Sequence, residues 1–336
     1  MKKWVVSGKG AALEYVDAKV PTPAAGELLI KVSAVSLNAK DKWIIAGVSG
    51  MALPYPFVPA SDMAGVVVER GGGAAKFKVG DRVISTFEPA WIEGARKGSA
   101  RLEAVGLVGG SYQGVLAQYV TVPEHWVVAA PQTLTDLEAS TLPVAGLTAW
   151  SALVNKGKLQ AREFVLIHGT GGVAMFGIQI ARSLDAKVIV TSRGSAKFAR
   201  AKAAGATHLV DSSTSDWVQS VIDVTDGAGV NVVLETIGGA NVGASLEATA
   251  VEGRICLVGG LAGFDFSGSS MLLMSKQVSL LGVNCGNRRS LISLGEMIDR
   301  TGLHPIIDTI YPLDALPAAL KHMDSGPVGK IVVQID

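Results

Sequence analysis

Cysteine is almost missing from this chain: Cys256 and Cys285 are the only two in 336 residues. Two thiols cannot build a disulfide framework, and neither belongs to a C-x-x-C pair of the kind that marks redox and metal sites. A surplus of one charge sign is missing too. Thirty Lys and Arg face 29 Asp and Glu, for a formal net charge of +1. That removes the electrostatic footprint expected for nucleic acid or an anionic membrane surface. No uninterrupted apolar stretch approaches the roughly 20 residues that span a bilayer. The opening MKKWVVSGKG has two lysines but no apolar h-region and no small-residue cleavage site, so it does not read as a secretory leader. These absences point to a cytoplasmic protein without a membrane or nucleic-acid partner.

Apolar residues make up 49% of the chain and charged residues 18%, so a sizeable core is assured and disorder is not expected. Up to about residue 130 the pattern is β-rich. The runs 28–38, 64–70, 81–85 and 115–123 are rich in β-branched residues and punctuated by Gly, Pro or Asp. Between Thr86 and Gly114 lies a long segment of weak periodicity, which predicts a functional cover. It carries Trp91, Arg96, Lys97 and Arg101, and we take it as the specificity element.

From about residue 131 strands and helices alternate. Strands are expected at 164–168, 187–191, 208–210, 230–235, 254–259 and 279–284. Between the first two, Val173, Phe176, Gly177, Ile180, Ala181 and Leu184 follow the spacing of one helix face. Six such units predict a parallel sheet with helices on both faces. From Gly302 the chain turns β again, ending in KIVVQI, and the tail is expected to pair back with the N-terminal domain.

Gly169-Thr170-Gly171-Gly172-Val173-Ala174 fits G-x-G-x-x-[GA] where a strand ends and a helix opens. Gly169 permits the tight turn. Gly171 and Gly172 let backbone N–H groups approach a pyrophosphate at the positive end of the helix. Ala174 is small enough for helix–strand packing. The ribose selector is expected about 20 residues further on, at the end of the next strand. That stretch holds Ser192, Arg193, Gly194, Ser195 and Lys197, with no carboxylate to accept from a 2′-hydroxyl. A hydroxyl and two cations suit a 2′-phosphate, the arginine through its planar fork. The expected cofactor is therefore NADPH.

Four segments in order, PFVPASDMAGVVVERGGGAAKFKVGDRV, LPVAGLTAWSAL, the glycine turn and SGPVGKIVV, resemble the medium-chain dehydrogenase/reductase superfamily. The resemblance is to its zinc-free, quinone oxidoreductase-like branch and covers essentially the whole chain. It implies an α/β fold: a GroES-like β-rich catalytic domain (1–130 and 302–336) plus a Rossmann doubly wound parallel-sheet cofactor domain (131–301). It also implies a homodimer formed by edge-strand pairing. Zinc-dependent relatives carry Gly-His-Glu where this chain has Ala60-Ser61-Asp62, and no cysteine occurs before residue 256. The segment between Thr86 and Gly114 has neither Cys nor His. With too few convergent ligands, no metal is expected, and with it goes the Lewis acid that alcohol oxidation in this superfamily relies on.

The work left to such a protein is hydride delivery to an electrophilic carbon of a quinone or an α,β-unsaturated carbonyl. Asn38 and Asp41 match family positions on the nicotinamide side of the cleft, Asn38 orienting substrate or carboxamide. Lys40 or Lys42 could donate to an enolate oxygen, and Tyr55 could be a phenolic donor. Asp62 suits a structural ion pair or a backbone cap. Thr148 matches a position beside the nicotinamide, and the backbone of Val258-Gly259-Gly260 would pass close to the ring. Lys330 and the pair Asn287-Arg288 are candidate phosphate contacts, while His168 and both cysteines suit the core. Two other readings stand beside this one: an alcohol dehydrogenase-type carbonyl/alcohol oxidoreductase, and a non-catalytic NADPH-binding protein.

Overall fold

The computed structural model describes residues 1–100 and 106–336; Arg101 lies outside the described residues. The chain forms two compact units, Met1–Leu147 with Gly286–Asp336, and Thr148–Cys285. The sequence reading put the seams at 130/131 and 301/302. They differ because the helical run after residue 131 and the helix after Gly286 pack in the first unit: the Asp299 carboxylate accepts from the backbone of Gln132 and Thr133.

The first unit begins with β1 (Lys2–Val6), β2 (Leu13–Asp17) and β3 (Glu27–Ser36). Then come the short helix α1 (Ala39–Ile45), β4 (Asp62–Arg70), β5 (Arg82–Ser85), β6 (Tyr119–Pro123) and β7 (Val127–Ala129). A four-residue α2 (Asp136–Ala139) and a π-helical stretch, Leu142–Gly146, follow. The strand expectations at 28–38, 64–70 and 81–85 lie on β3, β4 and β5, and that at 115–123 shortens to β6. Strands β1, β2 and β7 escaped the reading.

The second unit opens inside α3 (Leu147–Trp150) and alternates regularly. It contains β8 (Phe164–His168), α4 (Gly172–Ser183), β9 (Lys187–Ser192) and α5 (Phe198–Ala204). Next come β10 (His208–Asp211), α6 (Trp217–Val224), β11 (Val230–Glu235) and α7 (Asn241–Ala248). The unit closes with β12 (Thr249–Leu257), α8 (Ser270–Ser275) and β13 (Ser279–Gly282). All six strands pair in parallel, in the order β10-β9-β8-β11-β12-β13. This is the expected doubly wound sheet. Its central strands are buried on both faces, which is why Val165, Leu166, Ile167, Val232, Val233 and Leu234 form unbroken apolar runs.

The tail returns to the first unit through α9 (Arg288–Thr301), β14 (Ile307–Pro312), α10 (Leu316–His322) and β15 (Lys330–Gln334). β15 pairs antiparallel with β3, Val333 opposite Val35, so the return of the tail to the N-terminal sheet is as expected. The sheet order is β14-β15-β3-β4-β5-β7, with β6 also on β3. Its core gathers Leu28, Ile30, Val32, Met63, Val67 and Val333. No helix of the described residues is long and apolar enough to cross a membrane.

Candidate active site

Two groups of candidate residues are built, one on each unit. In the first unit, β3 ends at Ser36 and α1 starts at Asn38, whose backbone N–H donates to Asp41 Oδ2 at 2.8 Å. This capping exchange fixes the 38–41 turn. Asp41 is buried and takes the Lys40 ammonium on its other oxygen at 2.9 Å. Lys40 also lies 4.8 Å above the Phe87 ring, a cation–π contact that holds its charge at the rim of the cluster. Lys42 points elsewhere, to an ion pair with the exposed Asp324. The structure thus separates the two lysines the sequence left as alternatives: Lys40 joins the polar cluster and Lys42 does not.

Asp62, opening β4, is fully buried. It accepts from Ser61 Oγ at 2.6 Å and from the Val144 backbone at 3.1 Å. Burial pushes its carboxyl up, against the opposing pull of Lys330, Lys40 and the side chains of Asn38 and Ser61. Lys330, at the start of β15, is buried and donates to the Leu37 carbonyl and, at 2.6 Å, to Asn38 Oδ1. Burial pulls its pKa down, while Asp62 and Asp41 push it up. Two carboxylates and two ammonium groups are therefore assembled around Asn38, whose oxygen accepts from Lys330 and whose amide lies against the Asp62 carboxyl.

The three candidate phosphate contacts all lie in the first unit. Lys330 is not placed to hold a phosphate, because its ammonium is buried and spent on Leu37 and Asn38. Asn287 accepts from the Ser290 N–H and caps α9, and Arg288 donates to the His125 carbonyl at 2.6 Å. Beside them the backbone holds residues 91–92: Arg288 N donates to Trp91 O and Arg289 N to Ile92 O. Arg96 pairs with Glu88 at 3.0 Å. Tyr55 is half-buried, with no bond that draws it into the cluster.

The donor set does not fit zinc. Ser61 stands where a histidine ligand would be needed, and Lys330 and Lys40 bring positive charge to the same place. Among the described residues no three His, Cys, Asp or Glu side chains converge as a metal would require. Cys256 is a core thiol, pushed up to about 12 by burial, and Cys285 is buried.

In the second unit the glycine turn suits a dinucleotide. Gly169 has φ +80°, a conformation that favours glycine, and its N–H donates to the Thr191 carbonyl at 2.7 Å. Gly171 is the N-cap of the 12-residue α4, and a side chain there would meet nothing within 4 Å. This leaves room over the first-turn N–H groups of Gly172 and Val173, which lack intrahelical acceptors. Ala174 is buried, and at Gly177 a Cβ would come within 2.5 Å of Leu234, so α4 lies close on the sheet.

At the end of β9, Ser192 is buried and Arg193 is exposed, with no hydrogen bond or ion pair to a described residue. Lys197 is half-buried at the end of the turn that follows. Sequence reasoning missed Asp211, which ends β10 opposite Ser192. Its Oδ1 accepts from Gly194 N, Ser213 N and Ser213 Oγ, which hold it below the usual carboxylate range. The strand order could have found it, since the third strand of such a sheet ends beside the second. Thr148 Oγ1 is buried without a partner, an opening for a ligand hydrogen bond. Val258 N donates to the Glu235 carbonyl, and at Gly259 a Cβ would lie 2.5 Å from the Thr236 carbonyl. That crowding explains the glycine.

A family model described as the alcohol dehydrogenase GroES-like domain matches residues 24–132, and one described as zinc-binding dehydrogenase matches residues 172–300. A zinc-type alcohol dehydrogenase-like protein of Schizosaccharomyces pombe is 32% identical over 93% of this chain and 91% of its own. The chain belongs to the medium-chain dehydrogenase/reductase superfamily. A chloroplast envelope quinone oxidoreductase homolog of Arabidopsis thaliana is 28% identical, covering 97% of this chain and 95% of its own. A Sinorhizobium meliloti 1021 protein of alcohol dehydrogenase type has a solved structure that superposes with a TM-score of 0.97. It is 45% identical, over 99% of this chain and 98% of that one. The superfamily's chemistry is nicotinamide-dependent oxidoreduction, and this member is an oxidoreductase.

Proposed function

We propose that the protein is an NADPH-dependent, zinc-independent reductase that passes hydride to a quinone or an α,β-unsaturated carbonyl. The observation that carries the reading is the Asn38–Lys40–Asp41–Asp62–Lys330 cluster, which puts ammonium groups and a carboxamide where a metal would need thiolates and imidazoles. The exposed Arg193, with Ser192 and Lys197 nearby, supports the preference for a 2′-phosphate.

When bound, the nicotinamide supplies the hydride. The protein's part is electrostatic. Lys40, tethered by Asp41 and Phe87, is the donor toward the oxygen that gains charge as the acceptor is reduced, and it supplies the proton that oxygen needs. Asn38, its oxygen pinned by Lys330 and its amide against Asp62, orients the substrate or the carboxamide. Asp41 holds Lys40, and Asp62 balances the two cations. The backbone at Gly171–Ala174 holds the pyrophosphate, and Thr148 with Val258–Gly260 flanks the ring.

β13 ends the six-stranded sheet, and Phe264, Met271 and Met274 are exposed just before it in the chain. This edge is the surface we assign to a second copy, giving a homodimer that light scattering would detect.

A second reading, carbonyl/alcohol oxidoreduction, is favoured by what the Schizosaccharomyces and Sinorhizobium proteins are called. One assay separates the two: NADPH and NADH oxidation against quinones, enones, aldehydes and ketones, with and without chelator. The proposal expects NADPH turnover with quinones or enones that ignores chelator. Turnover confined to aldehydes or ketones and lost on chelation would replace it with the second reading.

A further inference from the structure

One buried polar chain in the second unit has no part in the chemistry above. His168 ends β8 one residue before Gly169. Thr191 lies on β9 one residue before Ser192, Glu235 ends β11, and Ser245 is on α7. All four are at most 1% exposed.

The hydrogens on this chain follow from what each atom can do. Glu235 Oε1 accepts from Ile237 N at 2.8 Å and Gly238 N at 3.1 Å. Its Oε2 accepts from Asn241 Nδ2 at 2.8 Å and Ser245 Oγ at 2.5 Å. With the Ser245 proton given to the carboxylate, Ser245 Oγ must accept from His168 Nε2, 2.8 Å away. Nε2 therefore carries the proton of a neutral ring, in keeping with burial that lowers the His168 pKa against the opposing pull of Glu235. Nδ1 is left as an acceptor, and Thr191 Oγ1 donates to it at 2.7 Å. Trp217 packs against the ring edge-on, with centroids 5.4 Å apart.

The backbone continues the linkage. The Thr191 carbonyl receives the Gly169 N–H, and Thr236 Oγ1 donates to the His168 carbonyl at 2.8 Å. One imidazole thus ties together the glycine turn, the end of β9 and the turn after β11. On its outer side the 192–195 loop is held by Asp211 through Gly194 N. On its inner side the Thr191 hydroxyl is the tether.

We infer that the Thr191–His168–Ser245–Glu235 chain is a positioning device for cofactor specificity. It fixes the register of Ser192 and Arg193 against the glycine turn, so Thr191 and His168 set the preference between NADPH and NADH. The inference rests on the NADPH reading proposed above. Both cofactors share the pyrophosphate held by the glycine turn and differ only at the 2′-position, where a bidentate arginine contact is sensitive to small shifts of its loop. Loosening Thr191 therefore weakens NADPH more than NADH.

The test is the ratio of NADPH to NADH affinity, read by cofactor fluorescence titration of wild type, Thr191→Val and Thr191→Ser. Valine keeps the shape but leaves His168 Nδ1 buried without a donor, and serine restores the donor. We expect wild type to prefer NADPH, the valine variant to lose about tenfold of that preference, and the serine variant to regain it. A loss of packing alone would lower both affinities together and leave the ratio unchanged. A wild type without NADPH preference removes the cofactor reading and this inference with it. A wild-type preference that survives in Thr191→Val overturns the inference alone. Should that variant not fold, Ser245→Ala, which removes the acceptor of the Nε2 proton, carries the same test: a lowered ratio supports the device and an unchanged one overturns it.

Discussion

Lys330 and Asn38 stand at opposite ends of the sequence, yet the lysine Nζ donates to the asparagine side-chain oxygen at 2.6 Å. The contact exists because β15 pairs with β3, which sets the last strand beside the turn into α1. It fixes the oxygen of the Asn38 amide, whose nitrogen lies against Asp62. It also places a cation near Asp62, whose carboxyl is fully buried. Replacing Lys330 with methionine removes that compensation. We expect a loss of about 3 kcal/mol in urea-induced unfolding, at the lower end for a broken buried charge pair. Adding Asp62→Asn to the same protein should return part of the loss, because the charge left stranded is removed with it. Strict additivity of the two substitutions would show that the charges are not coupled.

Arg193 is exposed at the end of β9 and engages no described residue. Charge-assisted hydrogen bonds of the kind a guanidinium makes to phosphate are worth about 1.5–3 kcal/mol. Arg193→Ala should therefore raise the NADPH dissociation constant roughly 10- to 150-fold and leave that for NADH close to its starting value. Equal changes for both cofactors would mean that the arginine is no selector.

The second unit was legible in the sequence because its strands are buried on both faces. Such strands read as unbroken apolar runs, and the expected ranges 164–168 and 230–235 match β8 and β11 to the residue. The first unit was less so. β1 and β2 form a small sheet of their own with half-exposed residues such as Val16, and β7 has only three residues, too short for a period of two to register. The local turns of the site, at Asn38–Asp41 and Gly169–Ala174, could be read because capping and tight turns are short-range chemistry. What could not be read were partners brought in from distant strands: Lys330 on Asn38, Asp211 on the selector loop, Arg288 on the His125 carbonyl. Sequence gave these residues the right polarity but no address.

Lys40 and Lys42 are two residues apart, so the turn of α1 sends them to different surroundings. Lys40 is held by Asp41 and Phe87, its side chain 21% exposed, while Lys42 pairs with an Asp324 side chain that is 67% exposed. A general acid in this position contributes typically about 10²-fold or more. Lys40→Met should lower kcat by about that factor with an enone acceptor and spare NADPH affinity. Lys42→Met should leave kcat unchanged and lower stability by no more than about 1 kcal/mol, the range of an exposed pair. Equal kcat values for the two variants would remove Lys40 from the chemistry.

Burial of His168 predicts how stability responds to mild acid. The folded protein holds the imidazole below its ordinary value, with the Glu235 charge working the other way. In the unfolded chain the ring takes up its proton near the usual 6.5. Below that pH the unfolded state binds more protons than the folded one, so the free energy of unfolding falls as pH falls and recovers as pH rises. Asp211 acts in a separate window, because a carboxyl held down by Ser213 and Gly194 loses its contribution only as pH falls below the ordinary carboxylate value of 3.8. Thermal unfolding followed between about pH 5 and 7.5, the interval in which histidines titrate, should thus show wild-type stability rising to a plateau above about 6.5. In His168→Asn the rise should be shallower, whatever the plateau height, since the other four histidines remain in both proteins. Parallel curves for the two proteins would mean that the imidazole keeps its ordinary proton affinity inside the fold, and the neutral ring on which the Thr191 tether depends would have to be given up.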